Sequence, residues 1–214
     1  MGKLTNGFSG PLRGKLGNAV GYVVKGENRV RGRAERNKEK DREWTDGRLS
    51  TKLASDLLRP VKEYIQFGFA CEAEKHKTWN YYNAAYKYVR EAIAGEYPDL
   101  YFDYSKVLFA MGDLPLPQSM EVELVERGLK FTWDTSTPQE PASISDQVMV
   151  MAYYPEIHKA DFIRSGSGRS VGSEFLPLNP MYEDQIAEIY IAFISDDRSR
   201  VSNSVHLGQI KRAG

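Results

Sequence analysis

Ile189-Tyr-Ile-Ala-Phe-Ile-Ser195, Asp196-Asp-Arg-Ser199 and Val201-Ser-Asn-Ser-Val205 read as a strand, a turn and a returning strand, the clearest hairpin in the chain. The first segment is apolar and β-branched without a helical period, and the turn is built of the polar residues that reverse a chain. Outward from it, the stretch from Gly128 to Ile210 breaks into short strand candidates separated by turn chemistry. With Met120–Val125 ahead of them they are Leu129–Trp133, Gln147–Tyr153, Ala160–Ile163, Ser173–Leu176, Ile186–Ile194 and Arg200–Leu207. Many short strands at near-regular spacing predict an antiparallel β-sandwich. In Leu129-Lys-Phe-Thr-Trp133 the alternation turns Leu129, Phe131 and Trp133 inward.

Upstream the period is helical. Leu49, Leu53, Leu57, Val61 and Ile65 recur every four residues, with Leu58 and Tyr64 widening the stripe and Pro60 kinking it or opening a second helix. Another helix is predicted to start near Thr78, to place Trp79, Tyr82, Tyr86, Val89 and Ile93 on one side and to stop at Gly95. The two should pair as a helical hairpin, its tyrosine-rich face (Tyr81, Tyr82, Tyr86, Tyr88) serving mainly as core. Val107, Phe109 and Met111 then alternate onto one face, predicting a strand. The expected organisation is α+β: an arm over 1–42, a helical region ending in a strand over 43–112 and a sandwich over 113–214. The order of the last strands and the early Trp133 resemble a fibronectin type III or immunoglobulin-like sandwich.

Eight of the 18 glycines fall in residues 1–42, which argues for turns and close backbone approaches over a helix. Val20–Val24 and Arg29–Arg33 flank Lys25-Gly26-Glu27 and read as a β-hairpin, a unit that is marginal in water without a partner. The chain is formally neutral, yet residues 1–42 hold 11 Lys and Arg against 4 Asp and Glu, leaving 18 against 25 in the remainder. The two parts attract, within one chain or between neighbours. One cysteine, Cys71, excludes an internal disulfide framework and reads as a small buried apolar residue. The start has no secretory apolar run, and no stretch of ~18 apolar residues suits a membrane span, so the expectation is a soluble protein made in the cytoplasm.

The basic run Arg29, Arg31, Arg33, Arg36, Lys38, Lys40 and Arg42 is the strongest candidate for contact chemistry. On a strand Arg29, Arg31 and Arg33 project from one face, suited to an acidic protein surface or a phosphate backbone. The interleaved Glu35, Glu39 and Asp41 weaken the nucleic-acid reading. Tyr22, Arg29, Arg31, Arg33 and Arg36 therefore form the candidate interface. Arg169 and Ser170 within the loop 165–172, with Arg164 just before it, form a candidate ligand loop, beside a second loop at 134–145.

Gly168-Arg-Ser-Val-Gly172 matches the nucleophile-elbow pattern, with Asp184 or Asp196 and His206 following in hydrolase order. That motif needs a strand before it and a helix after it, whereas Ser165-Gly-Ser-Gly precedes and the extended Ser173-Glu-Phe-Leu-Pro177 follows, so no catalytic residue is assigned. His76, His158 and His206 lack ligand spacing for zinc. Asp196-Asp197 and Glu183-Asp184 lack the alternating ligands of a dedicated calcium loop. Gly10-Pro-Leu-Arg-Gly-Lys15 fails the phosphate-loop spacing. No cofactor or metal is expected.

Gly14 to Tyr22, Arg29-Val-Arg-Gly, Asp103 to Leu108, Leu129 to Trp133, Ser145 to Val150 and Ser202 to Gly208 together resemble the uncharacterised bacterial domain-of-unknown-function family 6266, over nearly the whole chain. That resemblance implies a shared fold and supplies no activity and no site residues. The functional expectation is a non-enzymatic structural or assembly protein that self-associates through its arm, as in a phage-like particle, a filament or another homomeric assembly. The alternative is a module that binds carbohydrate or protein through the sandwich loops.

Overall fold

A computed structural model describes residues 3–4, 10, 12–24, 26–33, 45–136 and 139–211. The chain divides into two compact units, Met1–Glu43 and Trp44–Gly214. In the first, β1 (Lys3–Leu4), β2 (Leu12–Leu16), β3 (Ala19–Val24) and β4 (Glu27–Gly32) form an antiparallel sheet in sequential order. The expected hairpin is the β3–β4 pair, with Tyr22 opposite Arg29 and Val20 opposite Arg31. Leu16 stands opposite Ala19, so Gly17-Asn18 is a two-residue turn, and Gly17 takes the positive φ of 56° that such a turn requires. Gly21 has a different reason to be glycine: a Cβ there would lie 2.1 Å from the Leu12 carbonyl oxygen on β2.

The second unit is a mixture of helices and antiparallel sheets. Helix α1 (Asp46–Leu58) ends just before Pro60, which has no N–H to continue the ladder. Two short helices, α2 (Lys62–Gly68) and α3 (Ala70–Glu74), carry on the apolar stripe, and α4 (Tyr81–Glu91) packs back against α1 and α2. The cap of α4 is Asn80 rather than Thr78: its side chain accepts the Asn83 N–H at 2.8 Å. The helix stops at Glu91, short of Gly95, because Ile93–Ala94 (β5) turns away to pair with Tyr101–Phe102 (β6). Its fully buried side is Ala84, Ala85 and Val89, and the tyrosines flank that side half-exposed.

Two larger sheets follow. Strands β7 (Glu121–Val125) and β8 (Gly128–Thr132) join β11 (Ser173–Pro177) in the order β11-β8-β7. Strands β9 (Gln147–Tyr154), β10 (Lys159–Ile163), β12 (Ile186–Ile194) and β13 (Val205–Lys211) form the order β10-β9-β12-β13. Leu129, Phe131 and Trp133 face Val148, Val150 and Ala152 of β9 and Ile189, Ile191 and Phe193 of β12, with Trp133 meeting Phe193 edge-on at 5.3 Å. The opposite face of the same two strands presents Met149, Met151, Tyr153, Tyr190 and Ala192 to the helices. There Tyr190 meets Phe109 edge-on at 4.8 Å, and Tyr64 donates to the Met149 carbonyl at 3.3 Å. The two central strands β9 and β12 are thus buried on both sides, and each fully enclosed Ile or Phe in them contributes about 1.5–3 kcal/mol.

Two strand expectations are corrected. Val107–Met111 is irregular, with a bend at Phe109, and joins no sheet: the Phe109 and Ala110 N–H groups donate to the Ser204 hydroxyl at 2.9 and 3.4 Å, so a side chain replaces a neighbouring strand. Residues 200–204 pair with β12 only at Val201–Ile194, and β13 begins at Val205. Ser202 displaces the ladder there, its hydroxyl accepting the Phe193 N–H at 2.8 Å. The register slips again between Ile189 and Tyr190, beside Gly208 with φ of 107°.

Candidate interaction surface

The sheet of residues 1–43 has two chemically distinct faces, set by strand alternation and register. Tyr22, Arg29 and Arg31 share one face with Val20, Lys15 and Glu27. Arg29 pairs with Glu27 at 3.0 Å, and the Arg31 guanidinium lies 6.0 Å from the Tyr22 ring centroid. The other face carries Leu16, Ala19, Val23 and Val30. Leu16 is 59% and Val30 63% exposed while Ala19 and Val23 are half-buried, so the apolar side of this sheet is partly open to solvent. Of the candidate interface, Tyr22, Arg29 and Arg31 are brought together. Arg33 follows β4, its N–H donating to the Asn18 carbonyl at 2.6 Å, and Arg36 lies outside the described residues.

Sequence reading missed the apolar face, because Leu12, Leu16 and Val30 are spread over strands whose pairing was not all anticipated. The signal available was the alternation Leu12-Arg-Gly-Lys-Leu16, a half-apolar strand beside the hairpin.

The candidate ligand loop separates into unlike parts. Arg169 is 3% exposed. Its Nη2 donates to the Pro115 carbonyl at 2.7 Å, its Nε lies 3.5 Å from an Asp146 oxygen, and the guanidinium sits 4.6 Å from the Phe193 centroid. Its own carbonyl accepts the Trp133 indole N–H at 2.8 Å. Burial lowers the Arg169 pKa, which the nearby Asp146 charge opposes. Arg169 is therefore an internal anchor, forming the floor of a hollow of about 140 Å³ lined by Pro115, Gln118, Asp134 and Gln139. Ser170 is exposed in a 3₁₀ turn (Arg169–Val171) that leads into β11, not into a helix. Arg164 lies apart, paired with Glu63 at 3.3 Å and stacked 5.4 Å from the Phe67 centroid.

Other polar groups are tied to one another. Buried Glu188 accepts from His206 and Gln209, each at 2.7 Å. Buried Glu72 accepts the Tyr88 hydroxyl at 2.7 Å and pairs with Lys75 at 2.9 Å; the hydrogen bond to Glu72 pushes Tyr88 up to about 12. Asp197, at the tip after β12, receives the Ser195 hydroxyl and the Ser199 amide, which hold it down to about 2. Among the described residues no group of three or more His, Cys, Asp or Glu is placed to hold a metal ion, and no helix is long and apolar enough to cross a membrane.

No curated protein and no solved structure matches the chain. The family of unknown function DUF6266 matches residues 9–208, nearly the whole length. By that match, this two-faced basic sheet and the layered unit that follows it are those of a chain that belongs to DUF6266.

Proposed function

We propose that the protein is a non-enzymatic assembly protein whose N-terminal sheet docks on another copy of the same chain. The observation that carries this reading is the apolar face: Leu16 and Val30 are exposed on a four-stranded sheet for which the described residues of its own unit supply no second layer. A sheet gains independent stability by packing a hydrophobic face against something, and exposing that face in water is costly. The cationic opposite face complements the acidic excess of the remaining residues, which favours a like chain as the partner. In this reading the two larger sheets form a fibronectin type III-like sandwich, three strands over four, that serves as the rigid body of each subunit.

The test is light scattering coupled to size-exclusion chromatography on the full chain and on a chain lacking residues 1–42, with and without nuclease. A defined oligomer lost with the arm, and insensitive to nuclease, supports the reading. A monomer in both refutes it, and nuclease-dependent mass points to nucleic acid as the partner.

A further inference from the structure

Resting on that reading, we propose the contact itself: strand β4 of one copy adds antiparallel to strand β7 of the next, joining the two sheets edge to edge. Among the described residues both are edge strands, β4 bonded only to β3 and β7 only to β8. Their sequences complement each other residue by residue. Arg29-Val-Arg31 set against Glu121-Val-Glu123 places Arg29 opposite Glu123, Val30 opposite Val122 and Arg31 opposite Glu121.

The faces match as well as the charges. On β7, Glu121 and Glu123 point away from the sandwich core and are exposed. Val122 and Leu124 stand opposite core residues Phe131 and Leu129, and Leu124 is still 41% exposed at the edge. On β4, Arg29 and Arg31 are on the cationic face and Val30 on the apolar face. In the antiparallel register both charged rows fall on one side of the joined sheet and both apolar rows on the other, so the apolar side of the arm continues the inner side of β7. A slip of one residue would set each Arg against an apolar residue and Val30 against a Glu.

The same pattern disfavours the wrong pairings. Two β7 edges would oppose Glu121 to Glu123, and two β4 edges Arg29 to Arg31, like charges in both cases. Only unlike edges attract, which makes the contact head-to-tail. Such an interface closes into a ring or propagates as a filament.

The experiment uses two full-length variants, Arg29→Glu/Arg31→Glu and Glu121→Arg/Glu123→Arg, each checked for unchanged thermal unfolding and measured by light scattering at low salt. Each alone should associate at least about tenfold more weakly than the parent, since both attractive pairs become repulsive. An equimolar mixture should regain assembly, because the reversed β4 of one variant complements the reversed β7 of the other. If deletion of residues 1–42 abolishes assembly while the β7 variant assembles normally, the arm reading stands and this contact is wrong. Failure of the mixture to recover also overturns the contact, and a monomeric parent overturns both.

Discussion

Asp146→Ala isolates what holds the loop between β10 and β11. Asp146 is 1% exposed; one oxygen faces Arg169 Nε at 3.5 Å and accepts the Ser143 N–H at 2.8 Å. Truncation leaves the Arg169 guanidinium enclosed with the Pro115 carbonyl and the Phe193 ring as its partners, and leaves the Ser143 N–H without its acceptor. Removing one member of a buried ion pair costs about 3–5 kcal/mol. For a unit of this size each kcal/mol lowers Tm by about 2–4 °C, so calorimetry should show a fall of about 6–20 °C. Adding Arg169→Met removes the stranded charge while filling similar volume, and the double variant should recover at least half of the loss. A fall below about 2 °C for the single variant, or strict additivity in the double, would refute the assignment of Arg169 as an internal anchor and return it to the candidate ligand residues.

Gly21→Ala should disrupt the β2–β3 pairing, because its Cβ would lie 2.1 Å from the Leu12 carbonyl oxygen; assembly mass should fall in light scattering while the main thermal transition is unchanged. Ser204→Ala removes the acceptor of two buried N–H groups, those of Phe109 and Ala110, and should cost about 1–3 kcal/mol in urea unfolding. Asp197, held down to about 2, favours the fold when ionised; that contribution is present above the ordinary carboxylate value of about 4 and is lost as pH falls from there through about 2. Asp197→Asn should flatten the acid limb of a stability–pH curve over that window, lowering stability at neutral pH and converging with the parent at and below about pH 2.

The antiparallel strands were legible where a turn bounded an apolar run, as at β8, β9 and β12, because both signals are local. What the alternation rule missed is why Gln147–Tyr154 has no polar alternate: Met149, Met151 and Tyr153 face helices while Val148, Val150 and Ala152 face the other sheet. A run of that kind marks burial on two sides, which identifies neither covering layer. Val107–Met111 alternates like a strand and is not one, since the Phe109 and Ala110 amides go to the hydroxyl of Ser204, some 95 residues along the chain, and the Met111 amide goes to the Gly68 carbonyl. The helix start was misplaced by two residues because Thr78 and Asn80 are both competent caps, and tertiary packing selects between them. At the candidate interaction surface, the arginine row was legible from strand period alone. The apolar face needed the β2–β3 register, and the burial of Arg169 depended on contacts with Pro115 and Phe193 from distant elements.

Because β9 and β12 are closed on both faces, solvent reaches their amides only when the helices lift away or the facing sheet separates. Either event uncovers one side of the same strands and removes the support of the other. The helical residues and the two larger sheets should therefore open in a single cooperative step, with the β9 and β12 amides exchanging last in deuterium and at one common rate.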